Sequence, residues 1–378
     1  MFMEPYFARV LLVYMIAIAG CNSNHPEIVT GRIHPAQEWI SNLIEANERT
    51  PLMRLAVPDT ISKEKARLHD IDPIVQIGKI EEDSKLMFGY IEDLAVDKKN
   101  KRIFILDARY NEIRAFDYNG AFLFAVGGPG VAPGELQYPQ AIDFDDKKNT
   151  LITLDRNRTV LIYSVSDTSI AYSFSFKVDF PPWDACVMND HVFARGYSEE
   201  VKSAVLKYRL DGARVDSFGI YYDSENPFVR QTLSPRGQVV CNRESNTLLV
   251  SIDHTPIFFV YDEEGTELRR IYLDTFDPID IIEGVLPDGR PTLEYTAPQK
   301  GENVLSRFFT HENDFFVQYF TVEQKGGRHL FKFDPNAETG EYMGTLGEVA
   351  FDIDLAQGYL FAASNRPYPR VFVFDVSI

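Results

Sequence analysis

Hydrophobic and polar residues alternate in the same way in two stretches near the start of the chain. Residues 91–97 (IEDLAVD) lead through Lys98-Lys99-Asn100-Lys101 into residues 102–107 (RIFILD). Residues 139–145 (PQAIDFD) lead through Asp146-Lys147-Lys148-Asn149 into residues 150–155 (TLITLD). Each reads as a strand, a polar turn and a second strand, because side chains one residue apart face opposite sides of a sheet. Asp97 and Asp145 are 48 residues apart, as are Asp107 and Asp155. A third strand over 113–116, the turn Asp117-Tyr118-Asn119-Gly120 and a fourth strand over 121–126 complete one unit. Four antiparallel strands repeating at this interval predict the blades of a β-propeller.

An aromatic residue followed by a polar turn carries the repeat along the rest of the chain. It occurs at Phe116, Tyr163, Tyr208, Tyr261, Phe333 and Phe374, at intervals of 47, 45, 53, 72 and 41 residues. Gly, Asn and Asp in these turns tolerate positive φ. Six occurrences predict six blades, and the long interval predicts an insertion within residues 274–301. The last occurrence lies four residues from the chain end, so blade six lacks its outer strand. Residues 74–78 (IVQIG), just before blade one, have no partner of their own. Pairing the two would close the ring and remove both exposed edges.

The N-terminal part does not follow the repeat. Residues 10–19 (VLLVYMIAIA) form a short apolar run after Arg9, of the length of a signal-peptide core and too short to span a bilayer. The junction Ala19-Gly20-Cys21 reads as a lipobox, with Cys21 as the lipidated residue. Residues 1–20 are then a lipoprotein signal peptide and 21–70 a tether. Within the tether, 36–49 predicts one amphipathic helix, with Trp39, Leu43 and Ile44 on one face and Pro35 at its start. The propeller is expected over 71–378.

The run Gly127-Gly128-Pro129-Gly130, Pro133-Gly134-Glu135-Leu136, Tyr138-Pro139 and Ile142-Asp143-Phe144-Asp145 resembles the linker and inner strand of an NHL repeat. It is similar to six-bladed propeller lipoproteins common in Bacteroidetes and their relatives. The resemblance is sharp over residues 71–165 and implies the bacterial cell envelope, with lipid anchoring at the outer membrane or periplasmic face.

Composition adds an exclusion. The net charge of −18 argues against nonspecific binding of nucleic acid, which needs a basic surface. Of the three cysteines, Cys186 and Cys241 sit in apolar strands and read as buried thiols, with a disulfide left open. The seven histidines form no pair spaced for a metal, so no metal site or cofactor is predicted. Asp93, Asp143 and Asp184 lie on inner strands. Propeller lactonases of the gluconolactonase type hold a divalent cation in the channel, so calcium and a hydrolase or lyase activity form the alternative. The loops joining second and third strands share one face, and each carries Arg or His beside tyrosines. Arg109, Tyr110, Arg156, Arg195, Tyr197, His254 and Arg366 are therefore the candidate ligand-binding residues. Guanidinium groups suit anions and aromatic rings suit sugars or a partner chain. The leading expectation is a non-catalytic module or scaffold presenting this face to an anionic glycan, peptide or partner protein of the envelope.

Overall fold

The computed structural model describes residues 31–33, 40–41, 43–44, 50–58, 71–80, 84–224, 226–278, 281–286, 288–295, 303–322 and 327–377. The expected signal peptide, residues 1–20, and Cys21 lie outside them. Blade one comprises Ile91–Asp97, Arg102–Asp107, Glu112–Asp117 and Phe122–Gly127. Blade two runs from Pro139–Asp145 to Ile170–Lys177, and blade three from Asp184–Met188 to Arg214–Phe218. Blade four runs from Val239–Asn242 to Glu267–Leu273, and blade five from Asn303–His311 to Glu341–Leu346. Blade six holds Val349–Asp354, Tyr359–Ser364 and Arg370–Asp375, completed by Val75–Ile77. Inner strands of successive blades touch, and blade six touches blade one. The protein is a six-bladed β-propeller closed as its unpaired ends require: Val371 faces Ile77, Phe372 faces Gln76 and Val373 faces Val75.

Burial explains why the repeat is legible. Every residue of Arg102–Asp107 is buried, because the second strand of a blade is covered on both faces by its neighbours. The outer strand Phe122–Gly127 alternates half-buried with exposed positions. Apolar clusters fill the spaces between blades. Phe104 of blade one meets Phe144 of blade two with ring centroids 5.1 Å apart. The recurrent tyrosines have a second use beyond packing. Tyr163 donates its hydroxyl to Gly134 O at 3.2 Å. Tyr208 and Tyr261 accept the N–H of Asp179 and Ile220 at 3.1 and 3.0 Å. Each tyrosine thus holds the linker that enters its own blade.

The segment before the propeller differs from the sequence expectation, whereas the insertion lies within residues 274–301 as expected. The tether is not separate from the propeller, because Leu52–Leu55 pairs in parallel with Glu267–Leu273 as a fifth strand of blade four. Met53 and Leu55 are fully buried there, in a cluster with Leu273 and Phe276. The insertion between blades four and five contains the hairpin Ile281–Val285 and Pro291–Tyr295, with Gly31–Ile33 as its third strand. The predicted helix 36–49 is described at Ile40, Ser41, Leu43 and Ile44, all helical. Ile40 packs in the cluster around Cys186, Cys241 and Val250, with Leu43 and Ile44 against it.

Candidate functional site

The inner-strand acids turn out to hold the ring together. Asp93 accepts the N–H of Leu94 at 2.7 Å and of Ile142, in blade two, at 3.1 Å. Asp143 accepts Val187 N of blade three at 2.8 Å, and Asp184 accepts Val239 N of blade four at 3.1 Å. The series continues with amides. Gln238 accepts Phe308 N at 3.2 Å, Gln318 accepts Ala350 N at 3.1 Å, and Asn365 accepts Ile91 N at 2.8 Å. Six side-chain oxygens, one per blade, each take a backbone donor of the next blade. Buried donors without partners would cost about 1–3 kcal/mol each, so these six contacts fix how the blades are spaced.

Charge in the channel is matched internally. Arg307 of blade five pairs with Asp93, and Arg243 of blade four with Asp143. Lys98 of blade one pairs with Asp352 of blade six at 2.9 Å. Asp184 accepts the backbone N–H groups of Ala185 and Val239, and burial raises its pKa to about 7. Among the described residues, one group of metal-type ligands draws together: Asp143, Cys186 and Cys241, within 4.8 Å of one another. The two sulfurs are bonded to each other, with a Cα–Cα distance of 5.7 Å. The buried-thiol expectation is therefore corrected to a disulfide joining the inner strands of blades three and four. These residues line a channel cavity of 270 Å³ at the end opposite the second-to-third-strand loops.

On the loop face, the predicted residues divide. Arg109, Tyr110, Arg156 and Arg366 are exposed. Tyr110 stacks against Arg114, whose guanidinium carbon is 5.4 Å from the ring centroid. Arg195 is a correction. It lies inside the strand His191–Ser198, is 0% exposed, and donates to four carbonyls: Gly196, Ala204, Ser251 and Arg236, at 2.8–3.1 Å. Burial lowers its pKa to about 10, still charged at neutral pH. It stitches blade three to blade four and presents no charge to a ligand. His254 is also withdrawn. It is buried at a left-handed position, φ +63°, and desolvation beside Arg236 lowers its pKa to about 3, so it is neutral. Tyr197 is buried within the same strand as Arg195, with its ring 5.2 Å from that of Tyr221.

Two recesses open on this face. The larger, 680 Å³, lies across blades two to four and is lined by Arg156, Trp183, Tyr197, Glu199, Pro235 and Arg236, among others. Arg236 lies over the Trp183 ring at 5.5 Å. Backbone geometry places it: a Cβ at neighbouring Gly237, φ +133°, would stand 2.1 Å from Ser251 O, so only glycine lets the linker run this close. The smaller, 150 Å³, sits at the channel mouth and includes Ser306, Arg307, Phe320, Arg328, Asn365 and Arg366. Arg307 and Phe351 line both this recess and the channel cavity. Trp183 and Arg236 escaped the sequence reading because they lie on linkers into blades. Pro181-Pro182-Trp183 was the available signal, as an aromatic ring beside a stiff proline pair.

Residues 74–212 match the model of a protein family described as a 6-bladed beta-propeller. No curated protein matches the chain. Similar solved structures include a chain of Bacteroides fragilis NCTC 9343 described as an exported protein. It is 12% identical, covers 85% of this chain and 98% of that one, and has a TM-score of 0.55. U3-55K is 10% identical, with 75% and 95% covered and a TM-score of 0.52. Likeness at these identities is one of fold. Among the described residues, no helix is long and apolar enough to cross a membrane.

Proposed function

We propose that the protein is a non-catalytic binding module of the cell envelope, anchored through lipid on Cys21, which presents its loop face to an anionic glycan. The observation that carries this reading is the recess across blades two to four. Trp183 is half-buried, held by the proline pair before it and by Arg236 behind it. A sugar ring stacks on such a face, while exposed Arg156 offers a fork to a carboxylate or sulfate. Export is supported by the disulfide, since such bonds persist in oxidising compartments, and by the likeness to a chain described as exported. The NHL-like linker over residues 127–145 belongs to the same reading. A channel-metal hydrolase has less support, because Asp93, Asp143 and Asp184 are occupied in joining blades.

The test is binding of polygalacturonate, heparin, polyglutamate and neutral dextran to the protein from residue 22 onward, at low and high salt. Salt-sensitive binding of an acidic glycan, lost in both Trp183→Ala and Arg156→Ala, is expected. Equal binding of polyglutamate, or binding indifferent to Trp183, would mean charge alone is recognised and would overturn the glycan reading. For the anchor, Cys21→Ala should move the full-length protein from membranes to the soluble fraction; retention after a high-salt wash would refute lipid attachment.

A further inference from the structure

The loop face between blades one and three carries more than the recess beside Trp183. Hydrogen bonds join its successive segments. Gln140, which lines that recess, donates to Pro182 O at 3.0 Å. Arg156, which also lines it, donates its backbone N–H to Tyr138 O at 3.2 Å. Tyr138 N in turn donates to Asn111 Oδ1 at 3.0 Å, in the turn that carries Arg109 and Tyr110. The Cα atoms of Tyr138 and Gln140, two residues along the chain, are at most about 7 Å apart. The linker between blades one and two therefore borders the recess directly.

Tyr138 is the unusual residue of that linker. It is 72% exposed, yet its backbone is left-handed, φ +57°. Glycine or asparagine suits such a position, and a bulky side chain there is strained. Among the described non-glycine residues of positive φ, it is the one Phe, Tyr or Trp. The segment is also clamped, because Gln137 N donates to Asp155 Oδ2 at 2.7 Å. An aromatic ring is thus held out to solvent under strain, with little burial in return. Strain of this kind gathers at ligand clamps.

The guanidinium groups beside this ring are open. Arg109 and Arg156 are exposed, and among the described residues neither has an ion-pair partner. The neighbouring acids are turned onto the backbone instead. Asp107 is buried and accepts the N–H groups of Gly89, Tyr90, Arg109 and Tyr110. Asp155 is buried and accepts Gln137 N. Glu199, in the recess, is paired with Arg230 at 3.1 Å.

We infer that the ligand of the recess is a linear polyanionic glycan that continues over this linker, with Tyr138 as a second stacking platform and Arg109 as a second fork for an acid group. An aromatic face beside a guanidinium then occurs twice along the loop face, Trp183 with Arg156 and Tyr138 with Arg109. Such a repeat selects a chain whose acidic groups recur over one that bears a single acidic end sugar. The inference rests on the reading of the recess as a glycan site and adds the length of chain that is held.

The experiment is isothermal titration of the protein from residue 22 onward with digalacturonate and hexagalacturonate at constant ionic strength. It compares the wild type with Trp183→Ala, Arg109→Ala, Tyr138→Gly and Tyr138→Trp. Glycine suits the left-handed backbone, so Tyr138→Gly removes the ring with the fold intact, checked by a urea midpoint no lower than that of the wild type. The hexamer is expected to bind about tenfold tighter than the dimer or better, from the added stacking and ion contacts. Tyr138→Gly and Arg109→Ala should each weaken the hexamer by about fivefold and leave the dimer unchanged. Tyr138→Trp should keep the hexamer's affinity, and Trp183→Ala should weaken both lengths. Equal affinity for the two lengths, or wild-type binding of the hexamer by Tyr138→Gly, would overturn the inference and leave the recess reading standing. Failure of both oligomers to bind would remove the recess reading and this inference with it.

Discussion

Asp184 offers a direct measurement of how the blades are held. Its carboxylate accepts Ala185 N at 2.9 Å and Val239 N at 3.1 Å, and burial raises its pKa from 3.8 to about 7. The Arg307 charge opposes that rise without cancelling it. A carboxyl whose pKa is higher folded than unfolded stabilises the fold fully below about pH 4. That contribution is lost as pH rises through 7. At pH 5 the folded group lies about two pH units below its pKa, which corresponds to about 3 kcal/mol at 1.36 kcal/mol per unit; at pH 8 almost nothing is left. The figure is an upper one, since Asp184 borders the channel cavity and water there lessens desolvation. Asp184→Asn keeps an acceptor for Val239, as Gln238, Gln318 and Asn365 do for their own neighbours, and cannot titrate. The wild type should therefore gain up to about 3 kcal/mol over the variant on going from pH 8 to pH 5, read from urea midpoints at both values. A difference between the two proteins that stays constant with pH would show that Asp184 is ionised in the fold throughout, and the reasoning would fail.

Other consequences are equally measurable. Cys186 and Cys241 are 55 residues apart, and a loop of that size implies about 4 kcal/mol on the chain-entropy account. The double alanine variant should lose that in urea and become insensitive to dithiothreitol; an unchanged midpoint would count against the bond. Arg195→Met should destabilise by about 3 kcal/mol or more, because several carbonyls lose a charged donor in a buried site; a surface-like change below about 0.5 kcal/mol would contradict its placement. A chain beginning at residue 57 should be about 3–6 kcal/mol less stable than one beginning at residue 50, from the burial of Met53 and Leu55; equal midpoints would mean that the fifth strand contributes nothing.

Much of the fold was legible because its signals are local. The six aromatic-turn motifs end the six third strands, at Asp117, Val165, Arg209, Asp262, Phe333 and Asp375 or within two residues of them. A tight turn restricts its residues whatever surrounds it, so the motif survives where strand pattern fades. Closure was legible for the converse reason: one strand too few at one end and one too many at the other. The ring of interblade contacts was not. Its donors and acceptors lie up to 274 residues apart, and Asp, Gln and Asn all serve as acceptor. No single residue type marks the role. The fifth strand of blade four was equally hidden, since Leu52–Leu55 is four residues long between Pro51 and Pro58 and resembles a broken linker.

The division of the seven candidate site residues follows from ladder register. Arg109 lies beyond the pair Asp107 and Glu112, Arg156 beyond Asp155 and Thr159, and Arg366 beyond Ser364 and Arg370. Each stands outside the last paired residues of its hairpin, where a strand no longer has a blade on either side. Arg195 pairs with both Asp184 and Val205. A residue inside the ladder of a second strand has no solvent side, whatever its polarity. Its charge must then be spent on the protein's own carbonyls. The Gly196-Tyr197 that follows looks like a turn in sequence, yet the strand continues to Ser198 before the chain reverses. On the loop face, chain beyond the ladders, in second-to-third-strand turns and in linkers, is best placed to offer a charged side chain to a partner. Trp183 and Arg236 on linkers, with Arg156 and Arg366 on turns, meet that condition. The channel ion pairs Asp93–Arg307, Asp143–Arg243 and Asp352–Lys98 do not. Positive charge consumed in the channel steadies the ring, whereas Arg109, Arg156 and Arg366 on the second-to-third-strand turns are exposed to solvent. In a chain of net charge −18, that second set is where an anionic ligand meets least repulsion.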